Sequence, residues 1–110
     1  MSTAASGDLA GLIREALRIV IDPELGHNIV DLGFIYDITV DEGGLVCITM
    51  TTTTRGCPAT EFLKEGVANS AWSVPGVEFV DVNLTYNPEW QPAMMSPDVK
   101  ADLGFADGRN

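Results

Sequence analysis

The chain has 110 residues, which predicts one domain spanning 1–110, with 1–7 frayed and 106–110 forming a tail. Its formal net charge is −10, with 16 acidic against six basic residues, and this balance argues against binding to nucleic acid or to an anionic membrane surface. No apolar run approaches the roughly 20 residues that span a bilayer, and no signal-peptide pattern is present, so we expect no membrane association and a cytoplasmic protein.

The first predicted element is an amphipathic helix that starts at Asp8, a residue type favoured at the N-cap, and stops before Pro23. Its apolar residues follow helical spacing and form one stripe: Leu9, Leu12, Ile13, Ala16, Leu17 and Val20. The segment 21–33 then holds three carboxylates, one proline and two glycines. This composition predicts an ordered loop.

Two alternating segments, 34–40 and 45–53, are joined by the turn sequence DEGG at 41–44, which predicts a β-hairpin. A second helix is predicted to follow Cys57, with an inner stripe of Ala59, Phe62, Leu63, Gly66, Val67, Ser70 and Ala71. A third strand covers 77–86. A short C-terminal helix is capped by Ser96, with Pro97 at its first position.

Each predicted strand has one apolar and one polar face, so the helices must cover the apolar face. The sequence therefore predicts an α+β fold, a two-layer sandwich in the order helix–strand–strand–helix–strand, whose three-stranded mixed sheet has its helices on one face. We interpret four of the threonines as β-formers on the solvated face of this sheet: Thr39, Thr49, Thr51 and Thr85.

The order of the elements also predicts where the loops meet. A right-handed crossover makes the second and third strands parallel, while the hairpin places the end of the second strand beside the start of the first. The segments 22–33, 51–58 and 87–90 should then converge on Cys57.

Cys57 is the candidate functional residue, because the next residue is a proline, which favours the first helical position. A cysteine at the helix cap lies near free backbone N–H groups and the positive end of the helix dipole, and both favour the thiolate. Arg55 adds positive charge nearby. The alternative is a small apolar residue buried at the helix start.

The neighbouring loop offers carboxylates, Asp22, Glu24 and Asp31, which could accept protons or hold a hard metal, or could simply satisfy loop N–H groups. His27 could be a partner or ligand of the thiol, but an exposed loop histidine is the simpler interpretation. Cys47 lies in the middle of a predicted strand, and we interpret it as structural.

Five segments resemble the PaaD/SufT-like metal–sulfur cluster biosynthetic family: DPEL at 22–25, IVDLGFIYD at 29–37, ITMTTTTRGCP at 48–58, GVEFVDVNLTYNPEW at 76–90 and MMSPDVKADLGF at 94–105. The resemblance runs from about residue 12 to 105. It implies the α+β fold of iron–sulfur cluster assembly domains and a role in the assembly or transfer of iron–sulfur clusters rather than in enzymatic turnover. In place of Arg55, members of the family often carry proline.

The resemblance also implies a site around the cysteine, lined here by Cys57, Thr53, Thr54, Asp22, Glu24 and Leu25. A cluster usually takes four protein thiolates, so Cys57 alone could only share a labile cluster, and we expect no tightly bound cofactor. The remaining ligands would come from a second copy in a homodimer, a small thiol or a client apoprotein. The expected partners are client apoproteins and other iron–sulfur assembly proteins.

Two further functions stay open from the residues alone. The chain could be a metal-free adaptor that docks clients to the assembly machinery. It could also be a thiol enzyme with Cys57 as the nucleophile and His27 or a carboxylate as the base, although no Cys–His spacing in the chain is diagnostic of one.

Overall fold

The computed structural model describes the backbone of residues 5–53 and 59–104 and the side chains of 9–53 and 59–104. Within these ranges the elements are α1 (Ala5–Ala16), a 3₁₀ turn (Leu17–Ile19), β1 (Ile35–Val40), β2 (Leu45–Met50), α2 (Thr60–Trp72), β3 (Phe79–Leu84), a 3₁₀ turn (Pro92–Met94) and α3 (Pro97–Leu103). The predicted element order and the α+β class are confirmed. The predictions for Thr54 and 106–110, and the predicted site role of Cys57, lie outside the described residues.

The sheet has the strand order β1-β2-β3, in which β1 and β2 are antiparallel and β2 and β3 are parallel. Asp41 shapes the hairpin turn, because its Oδ1 accepts hydrogen bonds from the N–H groups of Gly43 (2.8 Å) and Leu45 (3.0 Å). Gly44 closes the turn at φ 84, a left-handed conformation that glycine adopts without steric cost. The predicted hairpin and mixed sheet are therefore confirmed.

One face of the sheet forms the core. The central strand β2 fully buries Val46, Ile48 and Met50, as the alternation of its sequence predicts. Helix α1 packs on β1 and helix α2 on β3, so both helices cover this face. On the opposite face Cys47 lies between Thr39 and Asp81 in the strand register, and its side chain is half-buried.

The two long helices differ in detail from the sequence prediction. Helix α1 begins at Ala5, within the segment expected to fray, so the predicted N-cap at Asp8 is wrong. Once a helix is nucleated, each further residue adds a hydrogen bond, and this favours extension into the alanine at position 5. The helical spacing places Leu12 and Phe62 in buried stripes, but they are 55% and 61% exposed. Each lies at the margin of its stripe, beyond the width that the sheet covers.

The prediction that Thr51 lies on the solvated face is also wrong. Strand β2 ends at Met50, and Thr51 is fully buried, with its N–H donating to the carbonyl oxygen of Phe34 at 2.8 Å. The alternation of a strand no longer decides which way a side chain points once the strand has ended.

The C-terminal helix α3 follows its prediction closely. Ser96 caps it, with its Oγ accepting from the N–H of Val99 at 3.4 Å, and Pro97 occupies the first turn. Gly104 ends it in the left-handed conformation at φ 85. In the described part of the chain no helix combines the length and apolar character needed to cross a membrane.

Candidate functional site

The loops meet at one end of the sheet, where β1 begins and β2 and β3 finish, and we call this the loop end. Beyond the last regular strand pairs, the N–H of Thr85 donates to the carbonyl oxygen of Met50 at 2.9 Å, alongside the bond from Thr51 to Phe34. These bonds join the chain near Phe34, Met50 and Thr85, three places that are far apart in sequence. The strand ends therefore meet as predicted, whereas the predicted convergence of the loops on Cys57 lies outside the described residues.

The segment 21–33, which we call the acidic loop, is held together by its own hydrogen bonds. The N–H of Asp22 donates to the carbonyl oxygen of His27 at 3.0 Å, and the N–H of Gly26 donates to the carbonyl oxygen of Asp22 at 2.7 Å. The Asp22 side chain is only 2% exposed, and its Oδ1 lies 3.4 Å from the N–H of Glu24. Asp22 therefore shapes the turn that presents Glu24.

Glu24 lines a cleft of about 470 Å³ together with Pro23, Ala59 and Phe62. In the sequence, Ala59 directly follows the segment 54–58, which carries Cys57. Glu24 and Phe62 are exposed, whereas Leu25 is half-buried against the core. Of the predicted loop residues, Glu24 faces this cleft, while Asp22 and Leu25 hold the loop in place.

Two of the threonines that follow β2, Thr51 and Thr52, are buried and form hydrogen bonds within the protein. The Thr51 hydroxyl donates to the carbonyl oxygen of Thr52 at 3.2 Å, and Thr52 Oγ1 lies 2.9 Å from the hydroxyl of Tyr86. Thr52 is 1% exposed. Thr53 is half-buried and is the last described residue before 54–58.

The C-terminal segment, which follows β3, covers the loop end. Trp90 Nε1 donates to the carbonyl oxygen of Leu32 at 2.7 Å, and its ring packs edge-on against Phe34 with centroids 5.6 Å apart. The hydroxyl of Tyr36 donates to the carbonyl oxygen of Pro88 at 2.8 Å. Burial raises the pKa of the Tyr36 phenol, and a hydrogen bond with Thr51 offsets part of that rise.

Gly33 allows this segment to approach the acidic loop. It has φ 82, and a Cβ at this position would lie 2.4 Å from the carbonyl oxygen of Met94. A second cleft of about 530 Å³ lies here, lined by Gly33, Ile35, Tyr36, Pro88 and Met94. Trp90 and Met94 thus pack the C-terminal segment against the loop end.

Asp31 and His27 contact other polar side chains and do not line the 470 Å³ cleft. Asp31 Oδ1 lies 2.7 Å from Arg18 Nη1, and Asp31 Oδ2 accepts from the Asn28 side chain at 3.0 Å. Burial opposes ionisation of Asp31, but these hydrogen bonds and the charge of Arg18 outweigh it, so the Asp31 pKa lies below its ordinary value. His27 Nε2 lies 2.7 Å from Asp102 Oδ2, a pairing that sequence patterns do not indicate.

Comparison with known proteins decides the family. Residues 12–84 match the family described as "Iron-sulfur cluster assembly protein", and this range includes Cys57 and the described lining of the 470 Å³ cleft. The chain belongs to the iron–sulfur cluster assembly protein family.

Individual relatives agree with this assignment. The chain is 46% identical over 89 residues to a Porphyromonas gingivalis protein named "Fe-S protein maturation auxiliary factor", covering 81% of this chain and 85% of that protein. It is 42% identical over 93 residues to the Bacillus subtilis "Fe-S protein maturation auxiliary factor YitW", covering 84% and 91%. The crystal structure of a domain of unknown function, DUF59, from Bacillus anthracis superimposes with a TM-score of 0.87 at 38% identity, covering 93% and 97%.

In this family member the second helix begins later than its sequence indicates. Helix α2 starts at Thr60 with Ala59 at the N-cap position, so the predicted N-cap at Cys57 is wrong. The Cys57-Pro58 sequence favours a helix start at that point but does not fix it, because proline only prefers the first helical position.

The described residues contain no group of three or more His, Cys, Asp or Glu side chains placed to hold a metal ion. Within the same residues Cys47 is a free thiol on the open face of the sheet. Cys57 is the other cysteine of the chain.

Proposed function

We propose that the chain is an iron–sulfur maturation factor that assembles clusters or transfers them to client apoproteins, with the thiolate of Cys57 as its reactive group. The observation that carries the proposal is the cleft between Glu24 and Phe62 in a member of this family, because Ala59 in its lining directly follows the segment 54–58 in the sequence. The names of the relatives, maturation auxiliary factors, support the same function.

In this proposal the cluster is cargo rather than a resident cofactor. Cys57 supplies one thiolate, and a client cysteine, a small thiol or the cysteine of a second copy supplies the others. A cluster that this chain holds through a single thiolate is bound weakly, and weak binding suits a cluster that is to be transferred to a client. Arg55 favours the thiolate by its charge.

The residues around the cleft have distinct roles. Asp22 and Leu25 hold the loop that presents Glu24, and Thr53 and Thr54 offer hydroxyl groups that can donate hydrogen bonds to the sulfur or its ligands. Phe62 is an exposed aromatic side chain at the rim, and such residues are favoured anchors for a bound polypeptide. We assign the cleft to the client segment that receives the cluster.

Anaerobic reconstitution with iron and sulfide tests the role of the cysteine. The wild-type protein should develop visible absorbance, Cys57→Ser should lose most of it, and Cys47→Ser is the matched control that should keep it. Full absorbance in Cys57→Ser would remove the basis of the proposal. Maturation of a client that survives Cys57→Ala would favour the metal-free adaptor instead.

The cleft is tested separately by transfer of the cluster to an apo-ferredoxin. Phe62→Ser should keep the reconstituted absorbance but slow transfer by about fivefold, because the substitution removes an anchor for the acceptor and leaves the sulfur in place. The control is Leu12→Ser, which removes another exposed apolar side chain from α1. Equal transfer rates in wild type and Phe62→Ser would exclude the cleft as the acceptor site.

The thiol itself is tested by its rate of alkylation against pH in Cys47→Ser, where Cys57 is the remaining cysteine. We expect an apparent pKa below the ordinary value of about 8.5. A value at or above it would argue against every mechanism that relies on an activated thiolate, the thiol-enzyme alternative included.

A further inference from the structure

The opposite end of the sheet, which we call the turn end, carries exposed apolar side chains. Trp72 ends α2 and Phe79 begins β3, and their rings meet edge to face with centroids 6.1 Å apart at 81°. Leu45 pairs with Phe79 in the register of β2 and β3, so both side chains project from the same face. We define Leu45, Trp72 and Phe79 as the aromatic patch.

All three side chains of the aromatic patch are open to solvent. Leu45 is 39% exposed, Trp72 is 45% exposed and Phe79 is 53% exposed. A single exposed apolar residue needs no explanation, but neighbouring large ones mark a site of interaction. Tryptophan and other aromatic residues are also the side chains most often found at the energetic centre of protein interfaces.

Carboxylates lie on the chain segments next to those that carry the aromatic patch. Glu78 directly precedes Phe79, Asp81 follows on the same face of β3, and Glu42 lies in the β1–β2 turn, whose Gly44 carbonyl oxygen accepts from the N–H of Glu78 at 2.9 Å. All three carboxylate side chains are exposed. Within the described ranges the ion pairs use Arg18 and His27, neither of which belongs to these segments.

We propose that the aromatic patch is a docking surface for a partner protein that presents apolar side chains flanked by lysine or arginine. The apolar side chains would bury the Trp72 and Phe79 rings, and the flanking cations would meet Glu42, Glu78 and Asp81. Charge complementarity selects this partner over an acidic one, because like charges at an interface are costly. The surface stands apart from the proposed function and does not depend on it.

The aromatic patch and the cleft lie at opposite ends of the same two elements. Strand β2 runs from Leu45 towards the cysteine segment and spans about 17 Å. Helix α2 runs back from the cleft to Trp72 over about 18 Å. A partner on the aromatic patch therefore leaves the cleft open, so the chain can hold two proteins at once.

A panel of synthetic peptides tests the surface on the full-length protein. The first peptide has leucines on one helical face and lysines on the other. The second replaces every lysine with glutamate, and the third replaces every leucine with serine. We expect the first to bind at least about tenfold more tightly than the others by calorimetry, and to shift the amide resonances of 72–81 in NMR spectra.

Variants locate the binding. Trp72→Ser/Phe79→Ser should weaken the first peptide by about tenfold, whereas Leu12→Ser, which removes an exposed apolar side chain from α1, should leave it within about twofold. Glu78→Lys should weaken it more than Glu89→Lys, which makes the same change in net charge in the C-terminal segment. Melting temperatures establish that each variant remains folded.

Three results would overturn the proposal. The first is equal binding of the lysine and glutamate peptides, and the second is an equal loss of affinity in Leu12→Ser. The third is a dimer in sedimentation that Trp72→Ser/Phe79→Ser abolishes, because the occupant would then be a second copy. None of these results bears on Cys57, so the proposed function stands or falls separately.

Discussion

The loop end and the turn end of the sheet differ in the interactions that form them and in how much apolar surface they expose. At the loop end, hydrogen bonds join segments far apart in sequence: Trp90 to Leu32, Tyr36 to Pro88, and Thr52 to Tyr86. At the turn end, a local four-residue turn closes on its own Asp41, and large aromatic rings stay exposed. The loop end is pre-organised, which lowers the cost of holding a ligand there. The turn end instead offers uncovered surface.

Gly33→Ala is the substitution that we expect to destabilise the loop end most. The new Cβ would meet the carbonyl oxygen of Met94 at 2.4 Å, in a left-handed conformation that alanine adopts poorly. We expect the free energy of unfolding to fall by about 3 kcal/mol, measured by urea denaturation. The C-terminal segment should also show faster amide hydrogen exchange.

The matched control is Gly26→Ala, because Gly26 has φ 73 but no atom within 4 Å of the position that the new methyl group would take. Its cost should be about 1 kcal/mol, from the backbone conformation alone. Equal costs at the two positions would mean that the close approach of Met94 contributes nothing to stability.

Thr52→Val tests whether buried threonines contribute more to stability than exposed ones. Losing the contact between Thr52 and the Tyr86 hydroxyl should cost about 1.5 kcal/mol of unfolding free energy, because a buried polar group loses a partner. A cycle with Tyr86→Phe isolates the pair and should give a coupling of about 1 kcal/mol. Thr39→Val, on the open face of the sheet, should change stability by less than about 0.5 kcal/mol.

The smallest expected effect concerns the ion pair that fixes the acidic loop. The folded pKa of Asp31 lies below its ordinary value of 3.8, so its contribution to stability is present above that value and is lost as pH falls through the folded pKa. Asp31→Asn should therefore cost less than about 1 kcal/mol near neutral pH, since Arg18 is partly exposed, and nothing in strong acid.

The measurement for this ion pair is urea unfolding of wild type and Asp31→Asn across the acid range. Glu89→Gln, which removes an exposed carboxylate from the C-terminal segment, is the control for net charge. A difference between wild type and Asp31→Asn that persists unchanged into strong acid would show that the carboxylate charge is not what stabilises the loop.

Local patterns in the sequence are reliable where a single element decides the outcome. The alternation of β2 correctly predicts the burial of Val46, Ile48 and Met50, and the Ser96–Pro97 pair correctly predicts the start of α3. The same reasoning fails at element boundaries. Asp8 lies inside α1, and the N-cap of α2 falls at Ala59 rather than at Cys57.

The candidate site is only partly predictable for the same reason. Element order correctly predicts that the acidic loop and the end of β2 meet. A hairpin followed by a right-handed parallel crossover allows only one arrangement of the strand ends. It does not predict that Phe62 faces the cleft, since a helical stripe does not show how far the sheet extends beneath it. The pairing of His27 with Asp102 has no signal in either local sequence.

The sequence by itself determined the order of helices and strands, the apolar face of each and the family, because side-chain period and short motifs are local properties. Only the tertiary structure decided that Thr51 and Thr52 are buried, that Phe62 is exposed beside Glu24, and that Trp72 meets Phe79. These outcomes depend on where elements end and how they pack, and packing joins residues whose separation along the chain carries no pattern.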